Sequence, residues 1–369
     1  MTLPTSPTSP TPPTPQASPS WAVRALADVL DRVAATAAEA GERFPLYADP
    51  DTGRWTTTGR GSWAGGFWAG LLWLRARHTG ARSDRAAAAA CTARLAGWVD
   101  VDTSTRGLIL WYATALADED TGARELRTRA AAACLAALDP EPGGLGLVPW
   151  GSAFGGPRMR ARVDGVPGMV PLLAAASPSA AASHLRRHLE LCMGEGGAGG
   201  FVPERVFEAG AGWRASAEPS GGWSRGRAWL LLAVADAAHR PAVAGLLPER
   251  PEASAQRLAG LWTGPGAALV PPADTARPEG PLDTSAAAVM AVALLKLARM
   301  PGPRAAEYEE RAVAMLERLT TRHLVRGRLL DGCYDAEQGV AVRHELVWGD
   351  FFLALGLAAL TGLADVRAV

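Results

Sequence analysis

Helical periodicity dominates this chain. From Trp21 onward, Ala/Leu-rich stretches with apolar residues three and four apart follow one another, separated by breaks rich in Gly, Pro and Asp. The first, Ala22–Ala40, sets Val23, Leu26, Val29, Leu30 and Val33 on one face. Further helices are expected near Phe67–His78, Ser83–Val99, Leu108–Ala117, Ala123–Ala137, Gly168–Ala176 and Ser179–Cys192. The series continues near Gly226–Ala238, Pro251–Trp262, Thr284–Leu297, Pro303–Leu319 and Phe351–Leu360, about a dozen in all. Period-two alternation is nearly absent, and Gly144–Trp150 and Gly339–Val342 read as loop hairpins at most. Helices in such pairs close into a ring or stack into a solenoid. No short repeat marks a solenoid, and the long loops bearing Trp, Gly and Asp fall on alternate connections. That favours an all-α closed barrel with its loops gathered at one end.

Composition narrows the function classes. With 369 residues, 48% of them hydrophobic, the chain can bury a large core. Its net charge is zero, which argues against a general nucleic-acid or anionic-membrane binder. Arginine supplies nearly all the cations and Lys296 is the single lysine, a bias expected of a GC-rich genome, so no arginine is read as functional for being an arginine. Cys91, Cys134, Cys192 and Cys333 form no C-x-x-C pair and read as free thiols of a reducing compartment. No apolar run is long enough to span a membrane, and residues 1–20 lack the basic start and apolar run of a signal peptide. A cytoplasmic protein is expected, with a disordered Pro/Ser/Thr-rich tail over 1–20 and one domain over 21–369.

The densest local feature is Trp63-Ala-Gly-Gly-Phe-Trp-Ala-Gly-Leu-Leu-Trp-Leu74, with Trp63, Trp68 and Trp73 around its glycines. The theme returns at Trp223-Ser-Arg-Gly-Arg-Ala-Trp229 and Val347-Trp-Gly-Asp-Phe-Phe352. Flat aromatic faces either fill a core or line a pocket for a ring-shaped ligand. Glycines beside them let a backbone approach closely.

These blocks resemble the signatures of the unsaturated glucuronyl hydrolases and their unsaturated rhamnogalacturonyl relatives, glycoside hydrolase families 88 and 105. Two more segments fall in the same order: Val163-Asp-Gly-Val-Pro-Gly-Met-Val-Pro-Leu-Leu173, similar to the stretch around the family's catalytic aspartate, and Leu282-Asp-Thr-Ser-Ala-Ala-Ala288. The resemblance implies an (α/α)6 barrel of about twelve helices. It also implies an unusual chemistry. Ordinary glycosidases flank the glycosidic oxygen with paired carboxylates. This family hydrates the enol-ether double bond of a 4,5-unsaturated uronosyl group: an aspartic acid protonates C4, water adds at C5, and the hemiketal opens to release the aglycone. No metal or organic cofactor is implied, and the partner is a small-molecule or oligosaccharide substrate of a monomer or homodimer.

The resemblance makes Asp164 the general acid/base. Protonating carbon calls for a raised carboxyl pKa, which burial among aromatic rings would provide; read by itself, Asp164 is more readily an N-cap or turn aspartate, and the resemblance reverses that preference. Arg225 either holds a substrate carboxylate or ties its loop to a buried carboxylate such as Asp283 or Asp350. Asp283 reads as the N-cap of the following helix. Trp63 and Trp68 are expected to stack on a sugar and Trp73 to be core; Trp223 and Trp229 are candidate walls of the mouth, and Trp348 and Asp350 either line it or lock the last helix to the first. His344, just before the last block, is placed near a pocket and is a candidate substrate-binding residue. His184 and His188 have the spacing of half a metal site, but their helix reads as a charged, solvated face, so no metal is assigned. Gly194–Gly200 matches no phosphate-binding pattern.

The chain also departs from the family pattern. Where the family carries a second aspartate in a His-Asp-x-Gly-Phe motif, this chain reads Ser104-Thr-Arg-Gly-Leu108, with Thr105 in the aspartate's place. Asp102, three residues upstream, substitutes only if the loop shifts. The family's histidine group ahead of Trp223 is missing from Trp213-Arg-Ala-Ser-Ala-Glu-Pro219. Two alternatives to the hydrolase therefore stand: a barrel repurposed for hydration, elimination or isomerisation of a small molecule in a biosynthetic pathway, and a non-catalytic carbohydrate-binding protein.

Overall fold

The computed structural model describes residues 18–117, 119–140, 144–194, 200–264 and 266–369. Most of the Pro/Ser/Thr-rich tail and most of the Gly194–Gly200 run lie outside the described residues. Thirteen α-helices are present among them: α1 Ser20–Ala40, α2 Gly65–Thr79, α3 Arg82–Arg94, α4 Tyr112–Thr114, α5 Thr121–Ala136, α6 Met169–Ala176 and α7 Pro178–Cys192. The rest are α8 Ser224–Ala238, the short α9 Pro241–Ala244, α10 Pro251–Thr263, α11 Thr284–Ala298, α12 Ala305–Arg322 and α13 Val347–Leu360. A π-helical turn, Gly107–Trp111, runs directly into α4.

Six of these positions form an inner ring. Going round, α2 packs on α4 with its π-turn, the π-turn on α6, α6 on α8, α8 on α11, α11 on α13, and α13 returns to α2. An outer helix backs each one: α1, α3, α5, α7, α10 and α12. This is the (α/α)6 barrel. Composition explains the sorting. An inner helix touches neighbours on all sides and must be apolar all round, and α11 is buried from Thr284 to Leu297 while α13 is buried from Val347 to Ala358. Outer helices such as α1 and α12 bury one face only. Caps fix where the helices start: Asp120 accepts the amide of Ala123 at 2.8 Å, Ser177 precedes Pro178 and caps α7, and Asp283 caps α11 as expected.

The glycines of the Trp63–Leu74 block serve this packing. A methyl at Gly66 would meet the carbonyl oxygens of Leu108 and Ile109 at 2.2 and 2.4 Å, and one at Gly70 would meet the Phe351 ring at 2.4 Å. They let helices touch helices rather than ligand. Gly66→Ala is therefore expected to cost about 3 kcal/mol or more through overpacking. Gly97→Ala, with nothing within 4 Å of the added methyl, is expected to leave the thermal midpoint unchanged.

Charge locks the first helix to the last. Glu345, fully buried, takes both Arg32 of α1 at 2.9 Å and Arg328 at 3.1 Å. Beside it, Asp350 accepts the Leu329 amide at 3.2 Å. Burial, then the neighbouring Glu345, pushes the Asp350 carboxyl well above the usual carboxylate range. Asp350 is thus structural.

Three small sheets were not legible as strands, the smallest of them Leu324–Val325 paired with Arg328–Leu329. Phe44–Ala48 (β1) pairs with Trp55–Thr58 (β2) and Glu345–Leu346, and Arg160–Arg162 (β3) pairs with Glu204–Glu208 (β4), which pairs with Gly212–Ala215 (β5). Gly144–Trp150, offered as a hairpin, holds no strand, and Gly339–Val342 contributes only the Asp335–Val340 bridge.

Candidate active site

The connections entering the inner helices meet at one end of the barrel and enclose a cavity of about 470 Å3. Trp63 comes from the loop before α2, Thr105 from before the π-turn, and Asp164 from before α6. Trp223 precedes α8, Asp274 precedes α11, and Tyr334 precedes α13. The expectation of loops gathered at one mouth holds.

Asp164 sits in a 3-10 turn, Val163–Gly165, between the end of β3 and α6. Val163 and Val166 are fully buried, while the Asp164 carboxylate keeps 19% of its surface and opens into the cavity. Its partner is Arg162, whose Nε donates at 3.0 Å. The guanidinium of Arg162 lies between the rings of Trp150 and Trp223, at 5.5 and 5.4 Å, and its Nη1 donates to Glu204 at 2.8 Å. Burial alone would lower the Arg162 pKa, but Asp164 and Glu204 more than offset it and hold it raised.

The turn is braced from behind by a histidine pair. His184 Nδ1 accepts the Val148 amide at 3.1 Å, so Nε2 carries the proton and donates to the Gly165 carbonyl at 3.1 Å. His188 Nδ1 donates to the His184 carbonyl at 2.8 Å. Both rings are buried, which corrects the reading of this face as solvated. The helix is covered because β3 and the Val148 loop lie across it. Burial, then His188, pushes His184 well below the usual histidine range, and burial pushes His188 down to about 4. The unfolded chain takes up these protons near pH 6.5 and the folded chain does not, so stability is lost as pH falls below about 6.5. His188 alone is expected to cost about 2 kcal/mol between pH 7 and pH 5. Denaturant midpoints at the two pH values check this, and His188→Gln should reduce the difference by about 2 kcal/mol, the part from His184 remaining.

The other expected residues divide. Trp63, Trp223, Arg225 and Trp229 line the cavity together with Asp164. Trp63 stacks on Tyr334 (6.1 Å between ring centres, 18°) and its indole donates to the Tyr334 hydroxyl at 3.3 Å. Trp229 is 1% exposed and stacks on Phe67, so it forms the floor. Arg225 is committed: it binds Asp283 and the carbonyls of Cys333 and Tyr334, the last at 2.8 Å, between the rings of Trp223 and Trp348. It ties the Tyr334 loop to α11.

Four expected residues are not among those lining the cavity. Trp68 points to the other side of α2, where it packs beside Arg32, Val347 and Asp350. Trp348 is fully buried under Trp63 at 4.7 Å and donates to Ser285. His344 bridges Gly332 and stands edge-on to Tyr47 at 5.6 Å. Asp102 is held by Arg158 at 2.9 Å and the Ser152 amide at 3.1 Å, so it staples the 151–158 loop instead of turning inward. Thr105 does face the cavity, its hydroxyl bonded to Thr103 at 2.9 Å. The position compared with the second family aspartate is thus in place but carries no charge.

Glu204, Arg160, Arg162, Trp150 and Phe154 also line the cavity and were missed. The alternation Arg160-Ala161-Arg162 was the available signal for β3, with Ala161 fully buried on one face and the two arginines on the other, toward the cavity. Glu204 follows an irregular Gly-rich run and had no such marker.

Comparison with known proteins places the fold. No family model and no curated protein sequence matches this chain. Among solved structures it is similar to an unsaturated glucuronyl hydrolase from Bacillus sp. GL1 (21% identity, 92% of this chain and 96% of that one, TM-score 0.78). It is also similar to an unsaturated glucuronyl hydrolase specific for heparin (19% identity, 94% and 99%, TM-score 0.78). A third, from Streptococcus agalactiae, aligns at 17% identity over 94% and 93% with a TM-score of 0.77. The architecture is a helical barrel with a loop-lined cavity at one end. More particularly, it is the fold of the unsaturated glucuronyl hydrolases, carried by a sequence 17–21% identical to these three.

Proposed function

We propose that this chain is a hydrolase of unsaturated uronosides that hydrates the C4=C5 enol ether, with Asp164 as general acid/base. The observation that carries the reading is the position of Asp164. It is a part-exposed carboxylate opening into an aromatic-walled cavity of about 470 Å3, on the turn expected from its motif. Trp63 and Trp223 give the cavity flat walls suited to a sugar ring. A variant of the Streptococcus agalactiae enzyme, similar to this chain at a TM-score of 0.71, is known in complex with dGlcA-GalNAc6S.

In the proposed step the Asp164 proton goes to C4 and the positive charge develops at C5 and the ring oxygen. The carboxylate left behind takes a proton from water as the water oxygen bonds to C5. The resulting hemiketal opens and expels the aglycone as an alcohol, so the acid is regenerated and no oxidant or reductant is consumed. Arg225 is already engaged with Asp283 and two carbonyls, so the substrate carboxylate falls to other donors at the mouth, of which Arg277 is the exposed one.

The test is optical. Purified protein and a panel of unsaturated disaccharides, sulfated and unsulfated, should give loss of the ultraviolet absorbance of the conjugated uronate. Folded protein that leaves every trace flat would overturn the reading and turn attention to the repurposed barrel.

A further inference from the structure

We propose that Glu204 is a positioning carboxylate of this site, acting on Asp164 through Arg162. The proposal rests on the reading of Asp164 as the acid. β3 and β4 pair antiparallel with Arg162 directly opposite Glu204, so the backbone register itself sets the two side chains face to face. Glu204 is 6% exposed, and both its oxygens are occupied: Arg160 at 3.0 Å and Arg162 at 2.8 Å on one, Ser216 at 2.8 Å on the other. Arg162 uses its remaining edge for Asp164 and cannot swing away, because Trp150 and Trp223 hold its two faces.

One guanidinium is thus shared by two carboxylates. Asp164 also stands near Arg160 on β3, Arg225 at the start of α8, and Cys192 and His184 on α7, the last two neutral. Among these groups Glu204 is the anion that offsets the arginines of β3. Without its charge Arg162 would pair with Asp164 alone, and the carboxylate would be favoured over the acid that must protonate C4. Glu218, Asp274, Asp335 and Glu337 also line the cavity, but Glu204 is the carboxylate that shares the Arg162 guanidinium with Asp164. It comes from a different strand and acts at one remove.

Glu204→Gln keeps the shape and the Ser216 contact and removes the charge. On an unsaturated disaccharide it is expected to lower kcat about tenfold near neutral pH, leave KM within about threefold, and move the alkaline limb of the pH–rate profile by about one pH unit toward acid. Glu204→Asp, which keeps the charge, should leave the limb near its original position. The same displacement is read without substrate by following a 13C-carboxyl label at Asp164, identified by its loss in Asp164→Asn, through a pH titration. A Glu204→Gln protein with an unmoved limb and an unmoved Asp164 titration would overturn the proposal. If the unsubstituted protein turns over no unsaturated uronoside, the functional reading fails separately, and the carboxyl titration still decides whether Glu204 acts on Asp164.

Discussion

Asp164→Asn is expected to lower turnover of an unsaturated uronoside by about a thousandfold or more, with little change in thermal midpoint. General acid catalysis is worth about 10²–10⁴ in rate, and here the same group also serves as the base toward water, so both halves of the hydration lose their proton carrier. The fold should tolerate the change. Asp164 accepts no helix-capping bond, since no side chain caps α6, and its ion pair is with Arg162, which keeps Glu204 as a partner. Initial rates and a melting curve check the two halves of the statement. A variant that is stable and retains most of its turnover would remove Asp164 from the chemistry.

Arg225→Met is expected to act the other way, on stability first. Arg225 and Asp283 have side chains 5% and 0% exposed, and removing the arginine leaves the Asp283 carboxylate buried with only its capping contacts to Ser285, Ala286 and Cys333. Breaking a buried pair from one side costs about 3–5 kcal/mol, on the order of 4–6 °C in a chain of this size. The Tyr334 loop loses its anchor as well, and with it the ring on which Trp63 stacks. Thermal unfolding decides between the two roles weighed for this residue. An unchanged midpoint with a raised KM would make Arg225 a substrate ligand instead of a tie.

The barrel was legible because its physical cause is periodic. A helix buried on every side, such as α11 with Thr284-Ser-Ala-Ala-Ala-Val-Met-Ala-Val-Ala-Leu-Leu, announces itself by unbroken small and apolar residues. Asp283 was legible as a cap for a similarly local reason. The site was legible only where a motif stood next to a helix start, as at Asp164, Trp63 and Trp223. The aromatic blocks also misled. Trp68 and Trp348 share sequence neighbourhoods with cavity residues, but the helical twist of α2 and α13 turns them into the core. His184 and His188 sit among arginines in sequence, and only the long-range packing of the Val148 loop shows that they are enclosed. Glu204 depends on cross-strand register between segments some forty residues apart, which no local pattern encodes.

The most direct measurement is the reaction run in deuterated water and followed by proton and carbon NMR. The account predicts that the double bond disappears, that one deuterium arrives at C4, and that the aglycone is released with the uronate in its opened 5-keto form, none of which occurs with Asp164→Asn. Release of the aglycone with the C4=C5 bond intact, or deuterium-free product, would contradict it.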